Sequence, residues 1–193
     1  MMQIFFYDIQ ANTISQEFSW PVKKGFYWVR LVKPDYEELK SVSDNTGISL
    51  EELTQAGEDP ERSKIVPEGK FIQLVYQTPQ PDEIELFSLR SVTFFVGKDQ
   101  VITVEHKTIQ VFEQAANNLE LGKMRFLLKR GAGKFTTYFL DKINDEFLKA
   151  IEKIGTATRK ITLDMKKAPE EHFSILYQSN LSLSAYNHAL LAN

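Results

Sequence analysis

Apolar positions along the chain change period partway through, from the alternation of strands to the three-and-four spacing of helices. Met2–Ile9 and Gly25–Val32 (GFYWVRLV) are rich in aromatic and β-branched residues, which suits strands on a pleated, half-buried surface. After Pro34 the order is an acidic first turn, apolar Leu39 and Val42, then Asn45 and Gly47, which predicts a helix with start and stop signals. Ser49-Leu50-Glu51-Glu52 reads as a capping box that opens a second short helix ending near Gly57. Glu58–Pro67 is predicted to be a charged connector bounded by prolines. Phe71–Gln77 and Ile84–Val96 resume strand character, and Gly97-Lys98-Asp99 turns the chain into Gln100–Glu105. Thr108–Leu119 is predicted to be a helix packed on that sheet.

Gly131-Ala132-Gly133 marks a hinge or break. From Lys134 onward Phe135, Phe139, Ile143, Phe147, Ile151, Ile154 and Ile161 recur at helical spacing and predict one stripe on one helix. Thirty residues from Lys134 to Leu163 give a helix roughly 45 Å long at ~1.5 Å per residue. Pro169 breaks it, and Glu170–Leu191 restarts a helix. The expected organisation is therefore an α/β body over residues 1–133 and a long antiparallel helical hairpin over 134–193 that continues past it.

A chain of 193 residues buries enough surface for a core without metal or disulfide staples. It contains no cysteine, so thiol chemistry and cysteine-type zinc sites are excluded. With 23 basic against 26 acidic residues, a net charge of −3 offers little to a nucleic-acid backbone or an anionic membrane, and no nucleic-acid partner is expected. No apolar run is long enough for a membrane span, and the N-terminus lacks a signal peptide's basic region.

GAGKFT has the glycines, lysine and hydroxyl of a phosphate loop in the wrong order. Leu128 stands where the loop's first glycine belongs, and Phe135 where Ser or Thr must follow Lys134. His106, His172 and His188 are scattered and form no catalytic arrangement. His172 with Glu170 and Glu171 could supply one ligand to a surface ion, although neighbouring helical residues point in different directions. Glu51, Glu52, Glu58, Asp59 and Glu61 make the densest acidic stretch, suited to weak, water-mediated binding of a hard divalent cation. Asp141 and Asp145 read as a surface pair offset by Lys142 and Lys149. No acid, base and nucleophile constellation is present, so an enzyme is not expected.

Taken in order, several segments resemble the CorA-type magnesium and cobalt transporters, in their cytoplasmic N-terminal domain. The matching features are Trp28 in a core strand, Glu37-Glu38-Leu39 leading to Thr46-Gly47-Ile48, Leu53, and the Arg62-Ser63-Lys64-Ile65 connector. FIQLVYQ, VTFFVGKDQVITVEH and TTYFLDKINDEFLKAIEKI follow. The resemblance implies an α-β-α sandwich with a mixed parallel and antiparallel sheet, long projecting helices, and a funnel-shaped homopentamer on the cytoplasmic face of the cell membrane. It also implies regulation by magnesium or cobalt: cations bound between protomers hold the pore closed, and their loss loosens the subunits.

Two departures accompany it. The family's stalk, membrane spans and Gly-Met-Asn signature have no counterpart here, so membrane attachment through C-terminal helices and conduction are expected only of a longer protein. The aspartate that relatives place two residues after the leucine matching Leu53 is Gln55, whose amide offers an oxygen without charge. Glu58 and Asp59 become the substitutes to test, with Gln55, Glu171 and His172 as further metal candidates. A free-standing interaction domain, docking a partner helix through the Phe135–Ile161 stripe, is the competing expectation.

Overall fold

The computed structural model describes residues 1–17, 19–20, 24–57, 62–81, 87–164 and 169–193. Seven strands, β1 (Met2–Asp8), β2 (Thr13–Glu17), β3 (Gly25–Val32), β4 (Lys64–Glu68), β5 (Phe71–Pro81), β6 (Phe87–Val96) and β7 (Gln100–Glu105), form one sheet in the order β2-β1-β3-β7-β6-β5-β4. Pairing is antiparallel except between β3 and β7, which run parallel with Trp28 opposite Val101. That is the mixed sheet the resemblance implied.

Alternation along β3 sends Phe26 and Trp28 to one face and Val29 and Leu31 to the other, and all four are buried. A strand apolar on both faces belongs in the middle of a covered sheet. Helices α1 (Tyr36–Thr46) and α2 (Leu50–Gln55) cover one face. On the other lie α3 (Gln110–Glu120), α4 (Arg125–Lys129) and the start of α5 (Gly131–Asp164), which leads to α6 (Pro169–Ala192). The expected Ser49–Glu52 capping box forms, and Asp35 with Glu38 makes a second one at the start of α1, directly after Pro34. Gly47, at φ 79°, ends α1 in the left-handed region that glycine adopts without strain.

Arg30 is fully buried on the α3 side of β3. Its guanidinium makes a two-toothed pair with Glu105 at 2.7 and 3.1 Å and a third bond to Glu113 at 2.7 Å. Glu105 also accepts from the Ile109 amide at 2.8 Å, which supplies the cap that Ile109 lacks as a side chain. Burial pushes the Glu105 carboxyl above its usual range. It nevertheless stays ionised at neutral pH, because protonation would leave a permanently charged guanidinium buried without its full counter-charge.

Helix α5 runs for 34 residues. Phe135, Phe139, Ile143, Phe147 and Ile154 are buried as one stripe, while Ile151 is half-buried and the side chain of Ile161 lies outside the described residues. Helix α6 returns antiparallel and meets α5 through Ser179, Ser182, Tyr186 and Ala189, at the three-and-four spacing of a helical seam, with Tyr186 edge-on to Phe147 at 5.4 Å. Tyr76 Oη donates to Asn144 at 3.0 Å, and Asn193 bonds Ser63 and both backbone groups of Gln77, so the hairpin is tied back to β5. The outer face of α6 leaves Phe173, Tyr177, Leu181 and Leu191 exposed.

Two segments depart from expectation. Lys64–Glu68, inside the predicted connector, is edge strand β4; an edge tolerates Pro67 because that side needs no ladder donor. Thr13–Glu17 pairs as edge strand β2 despite its polar sequence. Gly131, at φ 74°, turns the chain from α4 into α5, which is the break expected at Gly131-Ala132-Gly133, and Gly133 lies in the first turn of α5.

Candidate functional site

The acidic stretch is organised by α2. This six-residue helix buries Leu53, and Ala56 just beyond it, against the sheet, and turns Glu51, Glu52 and Gln55 outward. Its exit is held by two bonds from the sheet: Thr93 Oγ1 donates to the Ala56 carbonyl at 3.4 Å, and His106 Nδ1 meets the Gly57 carbonyl at 2.8 Å. His106 is thus a structural tie.

Glu52 accepts from the Ser49 amide at 3.3 Å and the Ser49 hydroxyl at 2.7 Å, closing the capping box. The carboxyl of Glu68, at the end of β4, hydrogen-bonds to the same group. Partial burial works to raise Glu52, but the bonds from Ser49 and Glu68 outweigh it and hold the carboxyl below its usual range. Glu68 goes the other way, raised first by its hydrogen bond to Glu52, then by burial and by the charge on Glu52. Neighbouring carboxylates repel, and a shared proton or a cation between them eases that repulsion. Sixteen residues separate the pair, and β4 was not predicted as a strand, so only the strand's return toward α2 reveals it.

The residues singled out from sequence are not gathered into one cluster. Gln55 is exposed at the end of α2, where its amide donates to Glu51 at 3.5 Å. Glu58, Asp59 and Glu61 lie outside the described residues, and Glu171 and His172 sit in the first turn of α6 with side chains outside them. Among the described residues no group of three or more histidine, aspartate or glutamate side chains is placed to hold a metal. Lys142 pairs with Asp145 at 2.9 Å as expected, but Lys149 pairs with Glu146. GAGKFT is helical, with Thr137 donating back to the Gly133 carbonyl at 2.8 Å, so it forms no phosphate loop. The Phe135–Ile154 stripe is spent on the sheet and on α6, which removes the surface the competing expectation gave to a partner helix. No described helix is long and apolar enough to cross a membrane.

The family model described as CorA-like Mg2+ transporter protein matches residues 23–193. No curated protein matches the chain. Among solved structures, the soluble domain of CorA from Methanocaldococcus jannaschii is similar over 100% of this chain and 76% of its own, with TM-score 0.84 and 16% identity. The complete CorA magnesium transporter of the same organism is similar over 100% of this chain, which spans 60% of that protein, with TM-score 0.87 and 17% identity. The ZntB cytoplasmic domain from Vibrio parahaemolyticus is similar over 91% of this chain and 70% of its own, with TM-score 0.70 and 9% identity. At these identities the structural likeness establishes the fold, and the family match rests on the sequence model.

Proposed function

The chain belongs to the CorA-like Mg2+ transporter family, and from that membership we propose that it is the noncatalytic, cytoplasmic sensing part of a divalent-cation transporter. The match across residues 23–193 carries this reading. In it, magnesium or cobalt binds at carboxylates on the α2 surface, and occupancy sets how tightly copies of the chain pack into a homopentamer that gates a pore carried elsewhere.

The Glu52–Glu68 pair supports the sensing half of the proposal. Two carboxylates are too few to enclose a metal, but magnesium keeps several waters, so an open site of this kind binds weakly and releases readily. Oxygens from a second copy would complete it. The exposed apolar face of α6 supports the packing half, because Phe173, Tyr177 and Leu181 in water are what association would cover.

The test is thermal melting and sedimentation with millimolar Mg2+ or Co2+. Wild type should melt higher with metal, and Glu68→Gln should lose most of that gain while keeping the Ser49 cap. The sign with pH follows from the shifts. A raised Glu68 contributes stability that is present below its ordinary value of 4.5 and lost as pH rises through its folded value, where the cation takes the proton's place. The metal effect should therefore be largest at neutral pH and fade as acid restores the shared proton. An unchanged melting temperature and sedimentation coefficient in both metals at neutral pH would defeat the proposal.

A further inference from the structure

A cleft of about 610 Å3 opens at the starting end of β3, remote from α2. Three lysines rim it from three separate segments: Lys24 just before β3, Lys70 in the turn from β4 to β5, and Lys98 in the turn from β6 to β7. All three are exposed, and none makes an ion pair or hydrogen bond with a described residue; Lys70 only lies over the Phe71 ring at 5.8 Å. Among the described residues of the lining Asp99 is the single carboxylate, so positive charge is in excess among them although the whole chain is net negative.

The floor is close-packed, so its shape is fixed by the residues beneath it. A Cβ at Gly25 would fall 2.2 Å from the Phe6 ring and 2.3 Å from the Tyr7 carbonyl, and one at Gly97 would fall 2.8 Å from the Phe71 ring. Phe71 itself is buried beneath the cleft. Tyr27 forms a wall, its ring stacked on Phe6 at 5.4 Å and its amide held by the Asp99 carbonyl at 3.0 Å. Burial, with the nearby charge of Asp99, raises the Tyr27 phenol, which remains an O–H donor.

We propose that this cleft binds a nucleoside triphosphate, its phosphates held by Lys24, Lys70 and Lys98. The volume lies within the roughly 300–1,000 Å3 typical of small-molecule sites. Three separately mounted ammonium groups match a chain of phosphates better than one compact anion, since each acts as a point charge on a flexible stem. Asp99 repels phosphate and accepts hydrogen bonds, so it faces the donor-rich end of the ligand, the ribose hydroxyls and an exocyclic amine. A nucleic acid strand is disfavoured because the positive charge is confined to one cleft instead of running as a stripe. A phosphorylated membrane surface is disfavoured because, among the described residues, Ile9 is the lone exposed apolar one in the lining.

Isothermal titration with ATP in EDTA tests this on the full chain. One equivalent should bind, tripolyphosphate should compete, adenosine should not bind, and affinity should fall as KCl rises. The Lys24→Gln/Lys70→Gln/Lys98→Gln variant alters exposed turn residues, so it should melt like wild type and bind ATP at least tenfold more weakly; Asp99→Asn should not strengthen adenosine binding. No binding at millimolar ATP, undiminished binding by the folded triple variant, or attachment to phosphatidylglycerol vesicles without ATP binding would overturn the assignment.

Discussion

The two faces of the sheet are held by different materials. On the α3–α5 side, Trp28 meets Phe5, Phe112, Phe135 and Phe139 at centroid distances between 5.1 and 6.5 Å, and Phe112 stacks on Phe139 at 4.4 Å. On the α1–α2 side the packing is mainly aliphatic, Val29, Leu31, Ile102 and Val104 against Leu39, Val42, Ile48 and Leu53. The aromatic side anchors the long hairpin. The aliphatic side carries a six-residue helix with the acidic pair on its surface. Rings in mutual contact resist displacement, because shifting one opens gaps against several others. The thinner packing under α2 predicts that this surface opens more readily than the ring-packed face, which would suit the proposed sensing role.

The largest expected effect comes from breaking the thicker face. Phe139→Ala should cost about 3–5 kcal/mol, measured by urea unfolding, since it removes a ring contacting Trp28, Phe112 and Phe135 at once. A loss below about 1 kcal/mol would show that the ring cluster is not what anchors α5. Leu53→Ala should cost about 2–4 kcal/mol and, in hydrogen exchange, expose α2 while the amides of α5 stay protected. Equal loss of protection in both helices would abolish the contrast. Ser49→Ala, at about 1 kcal/mol, is the mildest. It removes both bonds that the Ser49 hydroxyl makes with Glu52 and its amide, so it should also weaken the magnesium-dependent gain in melting temperature.

Much of this contrast was legible in the residues. Phe135, Phe139, Ile143 and Phe147 declare a buried stripe by spacing alone, Ser49-x-x-Glu52 declares its own cap, and Gly97-Lys98-Asp99 declares the turn between β6 and β7. What stayed hidden depends on neighbours distant in sequence. Thr13–Glu17 has no apolar face to signal a strand and exists because β1 offers it a free edge. Lys64–Glu68 contains a proline and is exposed at four of its five positions, yet pairs with β5. Arg30 reads as a surface residue until Glu105 and Glu113 are seen beside it, and Glu68 acquires meaning only opposite Glu52. Periodicity reports which face a residue turns inward, and carries nothing about which distant side chain it will meet.

The parallel seam between β3 and β7 has a kinetic consequence. Trp28 and Thr103, bonded at 2.9 Å across it, are 75 positions apart, whereas β5, β6 and β7 join through short connections in sequence. Contacts between distant positions form slowly because chain entropy is lost before they are rewarded. The β2-β1-β3 unit and the β4–β7 meander are therefore expected to assemble as separate halves, with the parallel seam that completes the floor under α5 closing last.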